Sequence, residues 1–192
     1  MIENAPEKFK ELMSAKRPVT LGLIAKELDC TALEAAQALP AANAAFVREG
    51  ISFEAVWERL AAWEKVTFFV IHEGHVFEIA TKLSPGKTAM GYFNMLHADA
   101  VLGGHIKADA LGRIAFISMP FMGRESHYVA FFGKDGTLHF SVYVGREKHQ
   151  LIESVKEAFF KDKAELCEGE ADERAHYLQF ADRQYAASCP SP

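Results

Sequence analysis

The sequence predicts an α+β fold: short N-terminal helices, a large antiparallel β-sheet, then C-terminal helices. Three observations carry this. Apolar residues recur at helical spacing through the first third, β-branched and aromatic runs separated by close turns fill the middle, and helical spacing returns near the end. Strands joined by turns this close together favour antiparallel pairing. The 192 residues read as one unit, helical over 1–62, sheet over 63–145 and a helical tail over 146–192. A 49% hydrophobic content with fifteen Phe supplies a core of large flat surfaces.

Each element has a local reason. Phe9, Leu12 and Met13 share one stripe of a helix over Ala5–Ala15, which Pro18 stops. Thr20 is placed to cap a second helix carrying Leu21, Ile24, Ala25 and Leu28. Thr31-Ala32-Leu33-Glu34 is a capping box that opens a helix running to about Leu39, before Pro40. Ser52 caps a fourth, with Phe53, Val56, Trp57, Leu60 and Ala61 on one side. Val66–Ile71 and His75–Ala80 read as strands joined at Glu73-Gly74, and Ser84-Pro85-Gly86-Lys87 as a turn. Further strands are expected at Met90–Met95, His105–Ala108 and Arg113–Ser118. A hairpin of His127–Phe132 and Leu138–Val144 closes through Gly133-Lys134-Asp135-Gly136. Gln150–Leu166 is helical, with Leu151, Ile152, Val155, Ala158 and Phe159 on one stripe and Gly169 as its stop; Ala171–Ala187 is a further helix.

Composition excludes several function classes. The formal charge is −5 and the longest basic run is Lys16-Arg17, so phosphate-neutralising contact with nucleic acid is not expected. Val19–Pro40 resembles a helix-turn-helix, but its second helix offers Ala32, Glu34, Ala35 and Gln37. Lys26 stands alone against Glu27, Asp29 and Glu34, a surface that repels a phosphate backbone. Cys30, Cys167 and Cys189 form no CxxC and are odd in number, which argues against a zinc knuckle or a disulfide framework. The acidic N-terminus lacks a signal-peptide apolar core, and no apolar run approaches the ~18 residues of a membrane helix. A cytoplasmic protein without membrane contact is expected.

No nucleophile elbow, Walker A loop or dinucleotide fingerprint is present. The chemistry on offer lies in eight histidines, most of them between residues 72 and 149, without HExxH or HxH spacing. Solitary sheet histidines beside large apolar groups suit haem iron, which takes one imidazole and leaves its macrocycle to apolar contacts. Phe121-Met122 beside Arg124 has the make-up to meet a flat amphipathic ligand, ring on one side and carboxylate on the other; the competing reading is a bulge that covers the core.

An ordered series then resembles a known family. Gly91-Tyr92-Phe93-Asn94, Gly104-His105-Ile106-Lys107-Ala108, Phe121-Met122-Gly123, Phe131-Phe132-Gly133-Lys134-Asp135-Gly136 and Val144-Gly145-Arg146-Glu147 are similar in order and spacing to the haem-utilisation carriers of the HutX/ChuX type, over roughly residues 20–160. The resemblance implies a cytosolic homodimer that binds haem as cargo and passes it to a haem-degrading enzyme. It also implies that His105 is a haem-iron ligand. A second family histidine falls here at Ile71, one step before His72; a one-residue shift reverses the face, so His72 serves as a ligand only if a bulge turns it. Phe121, Met122, Lys107 and Arg124 are candidate haem contacts by their own chemistry, the first two toward the macrocycle and the last two toward the propionates. A haem-degrading enzyme is the alternative, because a singly ligated haem leaves a position open for oxygen. A helix-turn-helix regulator is a further one.

Overall fold

The computed structural model describes residues 11–12, 19–96 and 101–168. Of the predicted helix over 5–15 only residues 11–12 are described, both helical with Leu12 buried; the predicted helix over 171–187, Gly169 and Cys189 lie outside the described residues. The elements are α1 (Leu21–Glu27), α2 (Ala32–Gln37), β1 (Ala44–Phe46), α3 (Phe53–Ala62), β2 (Val66–His72), β3 (His75–Thr81), β4 (Gly86–Ala89), β5 (Tyr92–Met95), β6 (Gly104–Ile106), β7 (Leu111–Ser118), β8 (His127–Gly133), β9 (Leu138–Val144), β10 (Arg146–Glu147), β11 (Gln150–Leu151) and α4 (Glu153–Leu166).

Three of the four helices named above, α1 to α3, are capped as their sequences dictate. Thr20 Oγ1 accepts from Leu23 N–H at 3.1 Å and Ser52 Oγ from Ala55 N–H at 3.2 Å. At α2 the capping box is complete: Glu34 N–H donates to Thr31 Oγ1, and Thr31 N–H donates back to Glu34 Oε2.

A six-stranded antiparallel sheet in the order β1-β7-β8-β9-β2-β3 organises the molecule. Alternation along each strand sends side chains to two faces. On one face Phe116, Val129, Phe131, Phe140, Val142 and Phe68 pack with Trp57 and Leu60 of α3 and Phe159 of α4. On the other, Ala115, Ile117, Tyr128, Ala130 and Phe132 meet Leu21 and Ile24 of α1 and Ala35 and Ala36 of α2. Covered on both faces, β8 is buried along its whole length, which is why it reads as a continuous apolar run. A second sheet, β4-β5-β6, lies on the α3 side, its inner residues Phe93 and Met95 belonging to the first core.

Several elements depart from the sequence reading. β1 lies inside the stretch read as helical; at three residues it is too short to show alternation, and it forms by pairing with Ala115–Ile117 of β7. Gly86-Lys87, read within a turn, instead begin β4. Gly86 answers a close approach: a Cβ there would stand 2.1 Å from Phe93 Cζ. The reversal comes at Met90-Gly91, with φ of 55° and 81°, so Met90 belongs to a turn and not to the strand predicted from it. The strand read over His105–Ala108 is Gly104–Ile106, followed by a 3₁₀ turn at Ala108–Ala110. Arg146–Leu151 folds as a small hairpin through Lys148 and His149, both at positive φ, so α4 begins at Glu153 rather than Gln150.

Candidate functional site

The three-stranded sheet carries the family-implied iron ligand. Its register pairs Phe93 with Ile106, Asn94 with His105 and Met95 with Gly104. Alternation turns Phe93 and Met95 inward, where Phe93 meets Phe53 and Trp57 edge-on at 5.1 and 5.7 Å. Tyr92, Asn94 and His105 are thereby turned outward. Two bonds fasten the sheet to α3 and its surroundings: Trp57 Nε1–H donates to the Ser84 carbonyl at 2.9 Å, and Thr88 O–H to Glu54 Oε1 at 2.6 Å, a bond that lowers the Glu54 carboxyl pKa.

His105 is exposed. Its Nδ1 lies 2.6 Å from Asn94 Oδ1, and the Tyr92 ring stands edge-on to it at 6.2 Å between centroids. Asn94 Nδ2 in turn donates toward the carbonyls of Tyr92, Ala89 and Lys87 at 2.9, 3.1 and 3.2 Å. Gly104, with φ of +147°, precedes the histidine in a conformation that a side chain rarely adopts. The sequence reading named neither Asn94 nor Tyr92 as a site residue. The available signal was period-two alternation through Tyr92-Phe93-Asn94, which puts both on the face opposite the buried Phe93.

The other predicted residues lie on other segments. Lys107 follows β6 and is exposed. Phe121–Arg124 closes a tight turn between β7 and β8 through reciprocal backbone bonds of 2.9 and 3.0 Å, with Met122 and Gly123 at positive φ. Phe121 and Met122 are 42% and 68% exposed, so this segment does not cover the core. The β2–β3 register runs without a bulge from Val66↔Thr81 to His72↔His75. The bulge that would have turned His72 to the Ile71 face is therefore absent, and His72 projects on the side of Phe68 and Val70, the same face as its directly paired neighbour His75. Among the described residues, no hydrogen bond, ion pair or ring contact joins His105 to His72, Phe121, Met122 or Arg124.

Exposed large apolar side chains gather in three places: Met90, Tyr92, Leu96 and Val101 around the small sheet, Ile71, Val76 and Phe77 at the β2–β3 tip, and Phe121 with Met122. The first group surrounds the strand pair that carries His105. A separate cleft of about 330 Å³, lined by Val47, Ile51, Leu111 and Arg113 among others, contains none of the predicted residues.

A second histidine centre is internal. His127 is buried between the rings of Phe159 and Phe160, at 5.2 and 4.9 Å. Its Nε2 lies 2.8 Å from Glu125 Oε1 and its Nδ1 2.9 Å from Ser118 Oγ. Lys156 Nζ also reaches Glu125. The hydrogen bond from His127 holds the Glu125 carboxyl down at about 2, while burial pushes the His127 pKa down.

The comparisons with known proteins fit this geometry. The family model described as haem utilisation ChuX/HutX matches residues 47–161. The chain belongs to that family. It is 34% identical over 152 residues to the intracellular heme transport protein HutX of Vibrio cholerae, covering 79% of this chain and 78% of HutX. The solved structure of the heme-binding protein ChuX is 31% identical with a TM-score of 0.71, over 81% of this chain and 97% of ChuX. The architecture reaches further, to the Escherichia coli heme oxygenase ChuS, at 13% identity and a TM-score of 0.66, over 82% of this chain and 48% of ChuS. At that identity the likeness is one of fold alone.

Proposed function

We propose that this family member binds haem as cargo inside the cell and passes it to a haem-degrading enzyme, with His105 as the iron ligand. The observation that carries the reading is an exposed imidazole sharing a sheet face with exposed Tyr92, on strands whose ends expose Met90, Leu96 and Val101. Exposed apolar groups gathered around one polar group are what a flat apolar disc with a metal centre requires. Each Å² of apolar porphyrin covered contributes about 25 cal/mol, and one imidazole holds the iron. Lys107 and Arg124 are exposed cations assigned to the propionates, and Phe121 and Met122 are assigned to the macrocycle. His72 depends on a bulge that the regular β2–β3 pairing lacks, and it is not proposed as a second ligand.

A carrier must also release its cargo. An open rim with a single strong bond suits transfer, because differences in residence time are set mainly by the off-rate. No helix among the described residues is long and apolar enough to cross a membrane. Homodimer formation is supported by β3, an edge strand of the six-stranded sheet with Val76 and Phe77 exposed; such edges are prone to pairing. Sedimentation equilibrium of the wild type and of Val76→Lys tests it.

The test of the main reading is a haemin titration of the apoprotein. It should give a Soret shift that saturates near one equivalent per chain and is displaced in His105→Ala; an unchanged spectrum and affinity in that variant would remove the ligand assignment. The fold shared with ChuS keeps haem degradation as a second reading. Incubating the complex with ascorbate and catalase separates the two, since a carrier yields no biliverdin-like absorbance.

A further inference from the structure

We infer that Asn94 sets the proton on His105, holding it on Nδ1 so that Nε2 faces the iron as a free lone pair; this rests on His105 being the haem ligand. The Asn94 amide is oriented from its nitrogen end. Nδ2 faces three backbone carbonyls, those of Tyr92, Ala89 and Lys87, at 2.9–3.2 Å. Rotating the amide by half a turn would bring Oδ1 against three oxygens with no proton among them. The amide orientation is therefore imposed by the β4–β5 hairpin, independently of the histidine.

With Nδ2 committed, the group facing His105 is Oδ1, which only accepts. It stands 2.6 Å from Nδ1. A lone pair on Nδ1 at that distance would repel it, so Nδ1 carries the hydrogen and donates. A neutral imidazole has one N–H. Nε2 is then unprotonated before any metal arrives.

Two consequences follow for the cargo site. The iron meets a ring that need not change tautomer, and the acceptor behind Nδ1 raises the basicity of the opposite nitrogen. The ring plane is also held, by Asn94 on one side and the edge of Tyr92 at 6.2 Å. Because the anchoring carbonyls flank Met90-Gly91, the hairpin turn and the ligand's orientation are one mechanical unit. Asn94 is a positioning residue: it acts on haem through His105.

The experiment has two readouts on the full chain. Long-range ¹H–¹⁵N correlation spectra of the apoprotein, taken where His105 is neutral, report which ring nitrogen is protonated. Wild type should show Nδ1–H, and Asn94→Ala a mixture of both tautomers. Haemin affinity should fall about ten- to a hundredfold in Asn94→Ala, and the same substitution should have no further effect in a His105→Ala background. Wild-type protein with the proton on Nε2 would overturn the inference whatever its haem affinity. So would an equal loss from Asn94→Ala in the presence and absence of His105, since that marks a structural role. If His105→Ala binds haemin like wild type while Nδ1–H is still seen in the parent, the ligand reading fails, and the role of Asn94 in haem binding falls with it.

Discussion

His127 and His105 are both strand residues bonded through a ring nitrogen, yet their surroundings oppose each other. His127 lies between two phenylalanine rings with Ser118 on one nitrogen and Glu125 on the other. His105 lies at the surface with Asn94 on Nδ1 alone. A histidine bonded at both nitrogens and closed off from solvent stabilises the fold and has no atom left for a ligand. A histidine with one nitrogen oriented and the other open has the form of a metal ligand with its supporting acceptor. The contrast teaches that burial and the fate of the second nitrogen, more than residue type, separate structural from functional histidines here.

The largest effect that would break this contrast is on stability. Replacing His127 with Ala removes a buried ring and leaves Ser118 and Glu125 without it. The cost should be about 2–4 kcal/mol of unfolding free energy by chemical denaturation, with haemin affinity of the folded fraction unchanged. A stable variant with impaired haem binding would reverse the roles assigned to the two residues.

The converse substitution is next in size. His105→Ala should weaken haemin binding by about a hundredfold or more, some 2.8 kcal/mol, while its unfolding free energy changes by less than about 0.5 kcal/mol, as for other surface changes. Fluorescence quenching by haemin and a urea titration of the same sample check both halves.

Acid sharpens the comparison further. Burial sets the folded pKa of His127 below its ordinary 6.5, so the unfolded chain takes up that proton first and stability declines as the pH drops below 6.5. Glu125, held at about 2 against an ordinary 4.5, contributes stability that is complete above 4.5 and is lost as the pH falls toward 2. Thermal melts from pH 7 to 3 should show the first decline in wild type and not in His127→Phe. A decline of equal size in that variant would assign the acid sensitivity elsewhere.

The smallest effects belong to the exposed cations. Lys107→Ala and Arg124→Ala should each change haemin affinity by about 0–1 kcal/mol, and the difference should shrink with added salt. A larger, salt-independent loss at either would mean a propionate contact shielded from solvent.

Much of the architecture was legible because its causes are local. Thr20, Thr31 and Ser52 begin helices where their side chains reach the third residue on. β2, β8 and β9 follow from runs of β-branched and aromatic residues. What stayed hidden has causes remote in sequence. β1 exists only against β7. Gly86 reads as a turn residue until Phe93 is seen to occupy the space of its absent side chain. At the site, His105 came from an ordered family series, whereas Asn94 acquires its role only once β4, β5 and β6 pair, through carbonyls of Lys87 and Ala89 on β4 and Tyr92 on β5. For His72, one residue of register decided the face, and the regular β2–β3 pairing sends it away from that of Ile71.

By itself the amino-acid order determined the fold class, the capped helices, the hairpins with clear turn residues and the family that supplies the haem reading. Those depend on neighbours a few positions apart, where backbone geometry leaves few choices. Only the tertiary structure decided which histidine is enclosed and which is presented, which amide faces His105 and which apolar groups remain uncovered around it. Such properties arise from strand register and from the packing of elements against one another, and hydrogen-bond partners at 3 Å are chosen by that register and packing rather than by spacing.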